Sequence, residues 1–422
     1  MSKSKFLFLG IIGLFLNCKS AHISKEITTD LKAPFYSNQF TGLLVYNPQT
    51  HDTIYSNNAN RYFTPASNTK IFTLYTALQS LPHYVPAFKY NIEKDTITIL
   101  GTGNPTFLHS YFNDSTALKM TEPYKKVNLV INNLSDEKFG PGWAWEDYDT
   151  YFSPERDGFP IYGNVLTASN NDSLVCVPKV LKGNVQYSKS LHNRSFNENT
   201  FFYDRKERDT VEIPLVMDSL LIKKLWNALL PNKVSVTQFS GKPMEHTAYT
   251  SIPTDSLYKR MMLVSDNFLA EQILMLVSST ISDTLSSERA RENVLKNQLN
   301  DLKQKPRWVD GSGLSRYNLF TPTSFVQVLT KLYQEIPRER LFNLFPVGGT
   351  SGTLKKYYQG TSRPYIYAKS GTVGNNYNLS GYLLTNSGET LIFSFMNNHS
   401  KQPIPEIKKH MQSVFEYLRD NY

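Results

Sequence analysis

The sequence predicts an α/β (α+β) protein: an antiparallel sheet flanked by helices, built from both chain ends, with a large β-rich insertion between them. Three observations carry that prediction. A hairpin pattern followed by a helical one fills residues 40–79. Three strand patterns and a closing helix fill residues 365–422. Between them, residues 84–248 change texture to short β-rich runs broken by Asn, Asp, Gly and Pro. The chain is 422 residues long, 40% hydrophobic and 19% charged, a balance that suits two or three folded units and excludes extensive disorder.

The N-terminus reads as a targeting segment. Lys3 and Lys5 precede an apolar run, Phe6 to Leu16, too short to cross a bilayer but long enough for a signal-peptide core. Residues 1–17 are therefore expected to be a signal peptide. Cys18 follows at once, where a lipoprotein carries its lipidated cysteine, although Asn17 replaces the usual small residue. Ordinary cleavage at Lys19-Ser20-Ala21 is a poorer match, and soluble export is the alternative. Either route places the protein outside the cytoplasm; a periplasmic lipoprotein, membrane-anchored through Cys18, is the expectation. The second cysteine, Cys176, reads as a small buried hydrophobe, and two cysteines make neither a disulfide scaffold nor a zinc site.

Phe40 to Pro48 alternates apolar and polar residues as a strand does, and His51 to Ser56 reads as its hairpin partner. Phe63-Thr64-Pro65-Ala66 stops the sheet, and Ser67 opens a helix to about Gln79 with Ile71, Leu74, Tyr75 and Leu78 on its buried face. Strands are expected at Phe88–Asn91, Thr96–Leu100, Lys126–Asn132 and Leu174–Val180, with a helix at Met217–Leu230. Helices dominate from Asp255 to Gln304. Tyr365–Lys369, Leu379–Thr385 and Glu389–Met396 read as strands, and Ile404–Tyr422 as the last helix. The expected division is a discontinuous unit, 18–83 plus 249–422, interrupted by an inserted unit, 84–248. The net charge is +9, but the basic residues are scattered, which argues against a nucleic-acid partner.

Three short motifs carry chemistry. Ser67-Asn68-Thr69-Lys70 is a Ser-x-x-Lys: at i and i+3 on a helix the two side chains share a face, and a serine nucleophile needs such a base. A helix start also aims its positive dipole end at a developing oxyanion. The pattern recurs at Ser2–Lys5, Ser135–Lys138 and Ser256–Lys259, but only Ser67 follows a hairpin and a proline turn. Its ordinary alternative is an N-cap serine with a solvated lysine. Ser265-Asp266-Asn267 is a polar triplet between Met261-Met262-Leu263-Val264 and Phe268-Leu269-Ala270, so it should be largely buried and need partners. Lys369-Ser370-Gly371-Thr372 ends a predicted strand, where lysine and hydroxyls suit a carboxylate ligand and Gly371 lets a ligand approach the backbone.

In this order the three motifs resemble the signature of penicillin-binding proteins and class A β-lactamases. The stretch between the first two is far longer than β-lactamases show, and the Glu-x-x-Leu-Asn base motif of class A is broken at Glu292-Asn293-Val294-Leu295-Lys296. From about residue 35 onward the chain resembles the D-alanyl-D-alanine carboxypeptidase/endopeptidase family of the penicillin-binding protein 4 type (class C). Gly101-Thr102-Gly103-Asn104-Pro105-Thr106, Gly140 to Asp147, Asp310-Gly311-Ser312-Gly313-Leu314-Ser315, Pro346-Val347-Gly348-Gly349 and Gly352-Thr353-Leu354 also resemble it. Asn104 stands where an acid is usual, Ser370 where Thr is commoner, and residues 150–215 match weakly.

The resemblance implies a penicillin-binding-protein/β-lactamase-like transpeptidase fold and a serine-type D-Ala-D-Ala carboxypeptidase or endopeptidase acting on peptidoglycan peptides. It implies Ser67 as nucleophile, Lys70 as its base, Ser265 in proton transfer to the leaving amine, and Asn267 holding the donor peptide. Lys369, Ser370, Gly371 and Thr372 would receive the terminal carboxylate, with Lys369 also pushing Lys70 toward its neutral form. Asp147 would lie near the amine of a diamino-acid side chain. β-Lactams would acylate Ser67, and no metal or cofactor is implied. The alternatives are a β-lactamase or esterase on the same fold and a catalytically silent binder of cell-wall peptide.

Overall fold

The chain begins its described course with helix α1 (22–31), then forms the expected hairpin, β1 (Phe40–Tyr46) and β2 (Thr53–Asn57), and the helix α2 (Lys70–Ser80). The computed structural model describes residues 22–170, 173–204, 206, 210–242 and 245–422, so the expected signal segment 1–17 and Cys18 lie outside the described residues.

The inserted stretch holds β3 (Tyr84–Glu93), β4 (Thr96–Gly101), α3 (Thr116–Thr121) and β5 (Lys126–Ile131). Then come β6 (Val165–Asn170), β7 (Leu174–Val177), β8 (Val185–Tyr187), β9 (Phe201–Tyr203) and β10 (Val211–Pro214). It ends with α4 (Ser219–Leu229), β11 (Val234–Gln238) and β12 (Thr247–Pro253). β7 stops short of the expected Val180, because Pro178 has no N–H to continue the ladder. The main sheet of this region runs β11-β5-β4-β3-β12. The chain enters it on β3 and leaves on β12, and these two strands pair antiparallel from Tyr90–Thr247 to Tyr84–Pro253. Entry and exit are thus neighbours, the geometry that lets one unit interrupt another; the paired strand runs on past the expected boundary at 248. A core of its own, with Phe88, Leu129, Leu166 and Trp226 buried, fills the region.

Five helices follow: α5 (Thr254–Leu263), α6 (Asn267–Ser279), α7 (Ser287–Asn297), α8 (Pro322–Glu335) and α9 (Arg338–Leu344). Strands β13 (Ile366–Val373), β14 (Asn376–Leu384) and β15 (Thr390–Asn398) and helix α10 (Ile404–Asn421) complete the chain. The central sheet has the order β13-β14-β15-β1-β2, antiparallel throughout, so it joins both chain ends. Every residue of β15 is buried, because both faces of the sheet are covered. Leu391, Phe393 and Phe395 meet α1 and α10 through Ile23, Ile27, Met411 and Phe415. Ile392 and Met396 face the other core, with Ile71 and Leu74 of α2 and Phe325 and Leu329 of α8.

Candidate active site

Ser67 lies on a 3-10 turn, Ala66–Thr69, rather than on the first residue of an α-helix; α2 proper begins at Lys70. The turn starts from Ala66 at φ 48°, a left-handed conformation that a non-glycine residue adopts at a cost. It is held from three sides. Thr69 Oγ1 donates to the Ala66 carbonyl at 2.9 Å. Asn68 Nδ2 donates to Ser380 Oγ of β14 at 2.7 Å, and Ser380 donates on to Ser394 Oγ of β15 at 2.8 Å. β13 closes the third side at Gly371, where an added Cβ would stand 2.5 Å from the Pro65 carbonyl oxygen and 2.9 Å from the Asn68 nitrogen. Gly371 is therefore needed for the approach of β13 to the turn that carries Ser67.

Lys70 is completely buried and its amine is surrounded by oxygens. Nζ donates to Ser67 Oγ at 3.1 Å, to Asn267 Oδ1 at 2.7 Å and to the Ser312 carbonyl at 2.8 Å. Burial lowers its pKa to about 8, although Asp310, Asp266 and Glu271 pull the other way. Lys369, also completely buried, donates to the Ser370 carbonyl at 2.7 Å, and its pKa falls well below the ordinary range through burial first and the charge of Lys70 second. Burial and the charge of Lys369 were both expected to push Lys70 toward neutrality; burial is the main cause at both amines, and the lysine–lysine repulsion registers at Lys369. The competing motifs make other pairs: Lys138 lies 3.0 Å from Glu155 Oε2, and Lys259 donates to Asn343 at 2.8 Å.

Ser265 sits at φ 61° between α5 and α6. The triplet is half-buried rather than largely buried, because it lines a cleft. Asp266 caps α6 by accepting from the Leu269 amide at 3.0 Å. Asn267 offers Oδ1 to Lys70 and donates Nδ2 to the Phe152 carbonyl at 3.0 Å, leaving one amide proton for a ligand. Ser370 Oγ shares a 2.7 Å hydrogen bond with Thr353 Oγ1.

A cavity of about 720 Å³ opens in front of these groups, with Ser67, Ser265, Asn267, Ser370, Thr372 and Asp147 in its lining. Asp147 reaches it from the inserted region, on the 3-10 turn Trp145–Asp147, and burial raises its pKa while Arg316 opposes the shift. Lys70, Lys369 and Gly371 are buried behind that lining. Glu292, nearest to a class A base motif in sequence, lies exposed on α7. Cys18 falls outside the described residues. No group of three or more His, Cys, Asp or Glu suited to a metal occurs among the described residues.

Several contributors went unassigned in the sequence: the Ser312 carbonyl against Lys70, Asp310 and Glu271 behind it, Thr353 against Ser370, and Arg316 beside Asp147. Asp310 to Ser315 carried a family resemblance but no role. A signal was present, since an Asp-Gly-Ser-Gly run reads as a loop built around its acid.

The model of the D-Ala-D-Ala carboxypeptidase 3 (S13) family matches residues 23–184 and 218–417. The chain belongs to this family. Among curated relatives of this S13 peptidase is the D-alanyl-D-alanine carboxypeptidase DacB of Haemophilus influenzae, 24% identical over 449 residues, covering 93% of this chain and 91% of the relative. The penicillin-sensitive carboxypeptidase A of Dictyostelium discoideum is 24% identical over 428 residues, covering 84% and 82%. Among solved structures, penicillin binding protein 4 (dacB) from Haemophilus influenzae superposes with a TM-score of 0.71 at 20% identity, covering 93% of this chain and 99% of that one. The expected penicillin-binding-protein fold is therefore present, and the protein is a D-Ala-D-Ala carboxypeptidase by family. The family match is interrupted at 185–217, which overlaps the region 150–215 where the sequence resemblance is weak.

Proposed function

We propose that this chain is a serine-type D-Ala-D-Ala carboxypeptidase and endopeptidase that cleaves peptidoglycan stem peptides through an acyl-enzyme on Ser67. The observation that carries the reading is the Lys70 amine, buried, 3.1 Å from Ser67 Oγ and with a pKa lowered to about 8. A neutral fraction of that amine takes the Ser67 hydroxyl proton as Oγ attacks the carbonyl between two D-alanines. The backbone N–H groups of Ser67 and Thr372 stabilise the oxyanion. Ser265 relays a proton to the departing amine, and the C–N bond breaks. Asn267 orients the donor peptide with its remaining amide proton. Lys369, Ser370 and Thr372 receive the terminal carboxylate, whose charge favours the ammonium form of Lys369. Water then attacks the ester, Lys70 again holding the proton, and releases the shortened peptide. Asp147 faces the amine of the donor's diamino-acid side chain. Terminal trimming and crosslink cleavage both break a D-alanyl bond, so one site serves both.

β-Lactams mimic that bond and acylate the same oxygen; a solved penicillin binding protein 4 from Haemophilus influenzae, with a TM-score of 0.66 to this chain, is complexed with a β-lactam. The enzyme works in the periplasm, held to a membrane by lipid on Cys18; no described helix is long and apolar enough to cross a membrane. Incubation with purified peptidoglycan is expected to release free D-alanine and to convert crosslinked peptides into monomers, and Ser67→Ala to release neither. Release by Ser67→Ala at the wild-type rate would refute the assignment.

A further inference from the structure

The inserted region touches the catalytic helix α6 through the segment 152–157 and through Gly103, whose carbonyl accepts from Gln272 Nε2 at 2.8 Å. The Phe152 carbonyl accepts from Asn267, Arg156 approaches Glu271, and the Asp157 backbone exchanges hydrogen bonds with the Gln272 side chain at 3.1 and 2.8 Å. Positions 267 and 271 share a face by helical spacing, and 272 lies beside it. The middle contact has a consequence for Lys70. Glu271 is 1% exposed, and its Oε1 accepts from the Ser312 amide at 2.8 Å. The carbonyl of that same Ser312 holds the Lys70 amine. Arg156 is 2% exposed, stands 3.6 Å from Glu271 Oε2, and is steadied by Asp136 at 3.1 Å. A second residue of the insertion braces the other side of the loop. Trp143 Nε1 donates to Asp310 at 2.9 Å, and Asp310 accepts from the Gly313 amide at 2.9 Å.

We propose that Glu271, compensated by Arg156 of the insertion, is a positioning residue that fixes the Ser312 carbonyl against Lys70 and sets the charge around it. This rests on the reading of Lys70 as the base for Ser67. A buried carboxylate without Arg156 would be expensive to keep ionised, so the insertion supplies the cation that makes the arrangement stable. It is thereby part of the catalytic apparatus rather than an appendage. The charged groups around Lys70 are Asp310, Asp266, Glu271 and Lys369. Those around Glu271 are Arg156, Asp310 and, from α7, Arg291.

Burial and Asp310 raise the Glu271 pKa and Arg156 opposes the shift; the ionised carboxylate favours the ammonium form of Lys70, so removing its charge favours the neutral base. Glu271→Gln keeps an acceptor for the Ser312 amide and deletes only the charge. The acid limb of the pH profile for acylation by a fluorescent penicillin should then move to lower pH by roughly one unit, the size expected of one partly screened buried charge. Arg156→Met should lower the melting temperature, and adding Glu271→Gln to it should restore much of the loss. If Glu271→Gln alone fails to fold, the double variant carries the pH measurement: Arg156 is not among the charges that act on Lys70, so the same shift to lower pH is expected. An unchanged acid limb, or melting shifts that simply add, would overturn the proposal. A wild-type protein that takes no penicillin on Ser67 would instead sink the underlying reading of Ser67 and Lys70.

Discussion

Lys70 and Lys369 carry the same formal charge in the same buried site, yet their surroundings assign them different work. Lys70 touches the Ser67 hydroxyl, while Lys369 donates to a backbone carbonyl, that of Ser370. Lys70→Arg is expected to abolish acylation, because a guanidinium stays protonated and cannot accept the serine proton. A lost general base typically costs ~10² to 10⁴ in rate. Lys369→Arg keeps a cation for the carboxylate and should retain part of the activity, the loss coming from imperfect fit. The measurement is the acylation rate with a fluorescent penicillin, with melting curves to confirm folding; equal partial activity in the two variants would contradict the assignment. These residues were legible in the sequence because their chemistry is local: a serine and a lysine three apart, a Lys-Ser-Gly at a strand end. The Ser312 carbonyl and Glu271 were not, because a backbone acceptor leaves no trace in composition and Glu271 acquires meaning only when α6 packs against the 310–313 loop.

At the scale of elements, the strands of the central sheet and its closing helix were legible, since β1 and β13 to β15 carry strong apolar patterns with clear turns between them. Helices α1, α3, α8 and α9 were passed over. For α8 the signals were present: Thr321 caps the Ser324 amide at 3.0 Å, Pro322 occupies the first turn, and Phe325, Val328, Leu329 and Leu332 recur at helical spacing and are buried. Ala66 explains the helix start that was misplaced by a turn, because its left-handed conformation is imposed by contacts from residues distant in sequence. The 152–158 segment carries its own titration. Asp157 is half-buried, and its pKa is raised to about 6, mainly by desolvation. A carboxylate whose folded pKa is raised makes the native state bind the proton more tightly than the unfolded chain. Stability is then lost as pH rises from about 4 through about 6, and the loss persists above that. Asp157→Asn removes the penalty, since an amide can still accept from the Phe159 amide that now bonds the carboxylate at 2.5 Å. It should stabilise the protein by up to about 3 kcal/mol at pH 7 and by little near pH 3.5. Chemical denaturation at the two pH values checks this, and an equal effect at both would contradict it.

At the scale of the whole molecule, two chain ends build one sheet, and the inserted region returns a segment to the site that the sheet and its helices create. Asp147, Phe152 and Arg156 all reach that site from residues the sequence assigned to a separate unit. Such convergence follows from long-range packing and has no local signature. In the proposed reading, the N-terminus sets where the molecule works. Cys18→Ser is expected to move the protein from the membrane fraction to the soluble fraction, and an unchanged distribution would contradict lipid anchoring at that residue. The proposed chemistry turns on a covalent acyl-enzyme on Ser67 formed with the help of Lys70. Mass spectrometry after exposure to penicillin tests it most directly. The intact protein should gain the mass of one penicillin, the adduct should persist over minutes and map to the peptide containing Ser67, and Ser67→Ala should gain nothing. No adduct, rapid return to free enzyme as in a β-lactamase, or an adduct on any other residue would contradict the claim.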